Sequence, residues 1–378
     1  MPDAPDNYTG FDVRCVLPRG HNHLCIEAQM ADGRWQVLLA RRIEVRRQWR
    51  PLWLGGGAWT ELMFFQMPSH MKHSPRAVQP ERLPPGATTR PHRPKLSIVT
   101  PSFQQASFLK ETLLSVIEQK NVHADYVVQD RGSTDGSAEI IREYAKPMDN
   151  TAPTLRTEPS AAVASRAVQL TAWESIRDNG QADAIARGFA KTTGGPDDLM
   201  AWINSDDFYL PGTLAYVADY FARHPEVDVL YGHRVLVDEQ SREIGRWFLP
   251  RHDDEVLRFN DFVPQETLFW RRRIWDKVGG IETSFKFAMD WDLLLRFQAA
   301  GANIVRVPYF LACFRIHSAQ KTSAAMHDIG QKEITLLRER TYNRRFPVQE
   351  LETHPHLIRY LRRSAWIEFL WRLGLRAR

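Results

Sequence analysis

The chain has 378 residues, 43% of them hydrophobic and 25% charged, enough to bury one sizeable core and a smaller second one. No stretch of about 18 apolar residues is present to span a membrane, and the opening MPDAPDNYTG lacks the basic and apolar regions of a secretory signal, so the expected compartment is the cytoplasm and the three cysteines are expected to be free thiols. The net charge of +5 belongs to the end of the chain: from Pro355 onward six arginines face one glutamate, Glu368, and the body carries no basic stripe of the kind that binds nucleic acid.

The first 72 residues alternate apolar and polar at Phe11–Leu17, Leu24–Ala28 and, after Asp32-Gly33, Trp35–Leu39, which predicts a small antiparallel β module, a partial β-sandwich. His21 and His23 share one strand face without a third ligand nearby, the pattern of ordinary surface histidines. Six prolines between Pro75 and Pro94 mark residues 73–94 as a stiff linker.

From Lys95 the pattern changes to β-α-β-α. A strand Leu96–Thr100 ends at Pro101, a helix Phe108–Gln119 puts Leu109, Leu113, Val116 and Ile117 on one face, and a strand Tyr126–Val128 delivers Asp130 to the same sheet edge. Residues 147–171 read as an insertion. DNGQADAIARGFAKTTG (178–194) supplies another loop and helix, and FAMDWDLLLRFQAAG (287–301) sets two acids before an amphipathic helix. The most informative stretch is LMAWINSDDFYL (199–210): a buried strand breaks off into Asn204, Asp206 and Asp207, hard oxygen ligands suited to Mg²⁺ or Mn²⁺ where an open α/β sheet binds its substrates. The competing reading is a turn whose acids sit near the N-terminus of the following helix.

Taken together, IVTPSF, D-x-G-S-T-D-G-S at 130–137, D-x-G-Q-x-D-A-I at 178–185, N-S-D-D, P-Q-E-T-x-F-W-R-R followed by VGG, M-D-W-D and R-I-H-S-x-x-K-T resemble the family 2 glycosyltransferases, in that family's order. Arg131 and Ile176 depart from its usual residues. The resemblance implies a GT-A-type, Rossmann-like α/β fold with a mixed sheet flanked by helices over 95–322, preceded by the β module and followed by a helical, basic tail over 323–378. It also implies an inverting, metal-dependent transferase taking a nucleotide-sugar donor and a glycan or lipid-linked acceptor, as in bacterial-style polysaccharide biosynthesis. Asp207 is the first choice for the Mn²⁺ or Mg²⁺ ligand, with His317 as a further one. Thr100, Pro101, Asp130, Asp135, Asp178, Gln181, Asp183, Asp206 and Lys321 are expected at the nucleotide and donor, and Asp290 is the expected catalytic base with Asp292 as runner-up.

Helix capping remains the alternative for Asp130 and Asp135, and a solvated strand edge is favoured for Arg271–Arg273 over an acceptor-phosphate clamp. A sugar nucleotidyltransferase would need a Gly-rich loop with a basic residue after the first strand, which PSFQQASF lacks; a catalytically inactive sugar-binding or scaffold protein would have no use for Asp130, Asp206, Asp207 and Asp290 together. The tail joins arginines with Tyr360, Trp366, Phe369 and Trp371. It reads either as a terminal helix packed through Ile358, Leu361 and Trp366, or as a peripheral contact with the inner face of a membrane.

Overall fold

The structure, a computed structural model, describes residues 20–29, 35–45, 72–84, 93–145, 168–317, 329–347 and 349–372. The chain divides into two compact units, Met1–Gly55 and Gly56–Arg378. In the first, β1 (Gly20–Gln29) and β2 (Trp35–Val45) form an antiparallel hairpin with an irregularity between Ile26 and Glu27. The strand read over Phe11–Leu17 and the turn at Asp32-Gly33 lie outside the described residues.

The second unit is built on a ten-stranded mixed sheet: β3 (Lys72–Arg76), β4 (Leu96–Ser102), β5 (Ala124–Asp130), β6 (Gln169–Ser175), β7 (Leu199–Trp202), β8 (Phe208–Tyr209), β9 (Val229–Val237), β10 (Glu243–Trp247), β11 (Phe269–Arg271) and β12 (Ile304–Arg315). The main path runs β3-β10-β9-β11-β7-β4-β5-β6, with β12 parallel to β9 and antiparallel to β8. The half β7-β4-β5-β6 is parallel throughout. Strands buried on both faces must be apolar on both, and these are: Leu96, Ile98, Tyr126, Val128, Leu199 and Ala201 enter one core, while Val99, Val127, Met200 and Trp202 enter the other.

Two boundaries move. Lys72–Arg76 pairs with β10, so the stretch expected to be a linker begins as an edge strand, anchored where Glu243 meets His73, Arg76 and Arg246. Likewise β6 begins at Gln169, inside the expected insertion, whose residues 147–167 lie outside the described ones. The helix Gln181–Ala190 lies unusually close to β4, because a Cβ on Gly188 would sit 2.4 Å from Val99 Cγ1. That close approach sets the helix start, and Gln181 with it, at the carboxyl edge of the parallel strands.

Candidate active site

At that edge lies a cleft of about 720 Å³ lined by loops that follow β4, β5, β6 and β7 and by the start of the helix Met289–Ala299. Its floor is a chain of amides. Gln181 Nε2 donates to Asn204 Oδ1 (2.7 Å), Asn204 Nδ2 donates to Gln265 Oε1 (3.1 Å), and Gln265 Nε2 donates to the carbonyl of Trp202 (2.8 Å). Every amide is oriented by its neighbour, so the turn after β7 is held in one conformation.

The turn divides its two acids. Asp206 Oδ2 lies 3.0 Å from His317 Nε2, and the imidazole packs on the Phe108 ring at 4.7 Å. Asp207 is 1% exposed, and its Oδ1 accepts the Arg315 backbone N–H at 3.0 Å. Burial, and after it the neighbouring charges of Asp206 and Glu266, push its carboxyl well above the usual carboxylate range.

The helix Met289–Ala299 starts with a second divided pair. Asp290 is half-buried, lines the cleft and accepts the Trp291 N–H at 2.9 Å. Asp292 is fully buried between Arg296 (2.8 Å) and Arg340 (2.6 Å) and does not line the cleft. The loop leading into this helix is gripped from outside: Glu333 accepts the backbone N–H groups of Lys286, Phe287 and Ala288 at 2.8, 2.8 and 2.9 Å. Beside Asp290 in the lining, Asp261 is held well above the carboxylate range by burial and then by the Asp290 charge. Behind them Arg234 makes a bidentate pair with Glu266 (2.7 and 2.5 Å), its guanidinium 5.2 Å from the Trp247 ring and 4.3 Å from that of Phe314.

Residues 97–280 match glycosyl transferase family 2. The chain carries a family 2 glycosyltransferase domain. Among curated relatives, an O-antigen biosynthesis protein of Myxococcus xanthus, RfbC, is 29% identical over 61% of this chain, which spans only 16% of that protein's length. A PGL/p-HBAD biosynthesis glycosyltransferase of Mycobacterium tuberculosis is 25% identical over 56% of this chain and 73% of its own. Among solved structures, a mannosyltransferase from Pyrobaculum calidifontis in complex with GDP-Man and Mn²⁺ is 16% identical with a TM-score of 0.49, covering 75% of this chain and 73% of that one. Residues 1–349 of Staphylococcus aureus TarS with UDP-GlcNAc give 15% and 0.47, covering 71% of this chain and 79% of that one. Likeness this loose transfers neither residue nor ligand.

The expected residues separate into those that meet and those that do not. Pro101, Asp178, Gln181, Asp206, Asp207 and Asp290 line the cleft, and His317 joins them through Asp206. Asp178 accepts the Gly180 N–H at 2.8 Å and pairs with Arg131 at 3.2 Å; burial nonetheless raises its pKa.

Thr100 does not reach the cleft lining: it is fully buried with its hydroxyl 3.0 Å from the Tyr126 phenol. Asp130 is spent on its own loop, accepting from Gly132 N, Ser133 N, Ser133 Oγ and Ser175 Oγ. Asp135 ties two helix starts together by accepting from the Ala106 and Ser137 N–H groups, so capping describes it better than donor contact. Asp183 similarly accepts the Asn179 N–H at 2.9 Å and pairs with Arg187. Lys321 lies outside the described residues.

The arginine run is neither solvated edge nor clamp. Arg271 is 3% exposed and donates to the carbonyls of Val227, Phe221, His224 and Asp197, tying β11 to the end of a helix. Sequence reading also missed Arg234, Asp261, Gln265, Glu266 and Glu333. The P-Q-E-T motif signalled Gln265 and Glu266 without a role; the other three stand in no motif.

Proposed function

We propose that the protein transfers a sugar from a nucleoside-diphosphate donor to a hydroxyl of a glycan or lipid-linked acceptor, with inversion at the anomeric carbon. The supporting observation is the convergence of Asp206, with His317 against it, and of Asp290 on a single cleft of about 720 Å³, a size suited to a nucleotide sugar. The O-antigen and PGL/p-HBAD biosynthesis relatives favour a surface-glycan product.

The lining charges argue for a cation. Even with Asp207 and Asp261 set aside because burial raises their pKa, Asp178, Asp206, Glu266 and Asp290 face Arg131, Arg234 and Lys286, and both arginines are already paired, with Asp178 and Glu266. A diphosphate entering alone would be repelled. Among the described residues no three ligand side chains gather, but the carboxylate oxygen of Asp206 and the imidazole nitrogen of His317, 3.0 Å apart, would suit a divalent ion such as Mn²⁺. Bound there, such an ion offsets the charge of the departing diphosphate.

The chain's own groups do the rest. Asp290 accepts the proton of the acceptor hydroxyl as that oxygen attacks the anomeric carbon and the bond to the diphosphate breaks. Beside it, burial and then the Asp290 charge raise the pKa of Asp261. One displacement without a covalent sugar intermediate inverts the centre.

Following the anomeric signal of the product by NMR, with Mn²⁺ and with excess chelator, tests the reading. Inversion is expected, with transfer abolished by chelation and restored by Mn²⁺. A retained anomer overturns the single displacement, and undiminished transfer in chelator overturns the ion. Mn²⁺-dependent donor binding without any turnover would instead favour the inactive sugar-binding alternative.

A further inference from the structure

The last described helix, Pro355–Arg372, has two faces that differ in kind. Its inner face is docked: Leu357 and Tyr360 are buried in the core, Ser364 Oγ donates to the Phe248 carbonyl at 2.5 Å, and Trp371 packs on the Phe248 ring at 5.1 Å. Trp366, one of the residues expected to pack inward, points away and is 58% exposed. It stacks at 5.5 Å on Phe369, itself 50% exposed. At helical spacing on the same side stand Arg359, Arg362 and Arg363, all exposed. Among the described residues of this helix no acid is exposed, since Glu368 is buried.

We propose that this outer face binds an anionic lipid bilayer surface, with Trp366 and Phe369 entering the headgroup region while the three arginines meet lipid phosphates. An aromatic pair and a row of arginines on one face of a helix whose described residues are too polar to span a membrane are what an interfacial helix presents. A second copy of the chain fits less well, because a two-fold contact through this face would set arginines against arginines. A soluble polyanion would answer the arginines and leave the aromatic pair unused. The docked inner face makes the contact part of the folded catalytic unit and independent of the glycosyl-transfer reading.

The test is sedimentation of the full chain with phosphatidylcholine vesicles, with and without phosphatidylglycerol, at low and high salt. Binding that requires phosphatidylglycerol and weakens with salt is expected. The triple variant Arg359→Gln/Arg362→Gln/Arg363→Gln should lose about a hundredfold in affinity at low salt, and Trp366→Ala/Phe369→Ala about tenfold, both with unchanged donor hydrolysis and thermal midpoint. The wild-type measurement decides even if a variant folds poorly: failure to bind anionic vesicles at low salt, or equal binding to neutral ones, overturns the proposal. So does a concentration-dependent dimer that Trp366→Ala abolishes while vesicle binding persists.

Discussion

Two segments far apart in the chain, the turn Asn204–Asp207 and the helix start Met289–Asp292, each carry two acids at or beside the same cleft, and each divides them into a more and a less buried member. One acid of the pair lines the cavity and is only half-buried: Asp206 against His317, and Asp290 at the helix start. The other is buried: Asp207 borders the cleft but is held on the backbone N–H of Arg315, and Asp292 lies outside the lining between the guanidinium groups of Arg296 and Arg340. A doublet of carboxylates is therefore one working group and one anchor. The two anchors differ in turn. Asp292 is matched by two cations, whereas burial raises the pKa of Asp207.

The comparison breaks most readily at Asp290. Asp290→Asn should lower transfer by about 10² to 10⁴ with donor affinity nearly unchanged, since the amide keeps the size but cannot take a proton. A comparable loss in Asp292→Asn with an unshifted midpoint would show that the working acid and its anchor have been exchanged. Next in size, Asp206→Asn and His317→Ala should each cost about 10² to 10³ in transfer and remove the Mn²⁺-dependent rise in thermal midpoint, measured with donor present. Asp207→Asn should keep that rise, because the amide oxygen can still accept from Arg315.

Asp292→Asn should act on stability. With both arginines left facing a neutral amide, the unfolding free energy should fall by about 2 to 3 kcal/mol in denaturant titration. The smallest effect concerns pH. Asp261 has its pKa raised in the folded protein, so its ionisation opposes folding: the cost is absent below the unfolded value of 3.8 and grows as pH rises toward the raised one. Asp261→Asn should accordingly gain stability relative to wild type at pH 8 compared with pH 5; a constant difference across that range would mean the carboxyl is not held neutral.

Much of this was legible in the residues. Unbroken apolar strands ending in polar loops point to a parallel sheet with a site at its carboxyl edge, and six of the seven motifs supply residues to one cleft, the seventh reaching it through His317 on Asp206. The division within each doublet was hidden, because the partner that fixes it comes from elsewhere: Arg315 lies 108 residues beyond Asp207, and Arg340 lies 48 beyond Asp292. Asp135 and Asp183 were misread for a related reason. An acid in a polar loop before a helix looks the same whether it faces a ligand or the helix's own N–H groups, and here the nearer donors won. For Trp366 the helical period was right but its stripe was too broad to say which aromatic would turn inward.

Glu333 changes what counts as the reactive part of this protein. The family match ends at residue 280 and the last motif at Thr322, yet the carboxylate that grips residues 286–288 and the arginine that anchors Asp292 both come from the helix Gln331–Tyr342. A chain stopped after its final recognisable motif would keep every residue named for chemistry and lose the hold on one of them. Loosening that hold alone, with Glu333→Gln and Arg340→Gln, should concentrate damage at the acceptor's proton and spare the donor, imitating the point mutation Asp290→Asn.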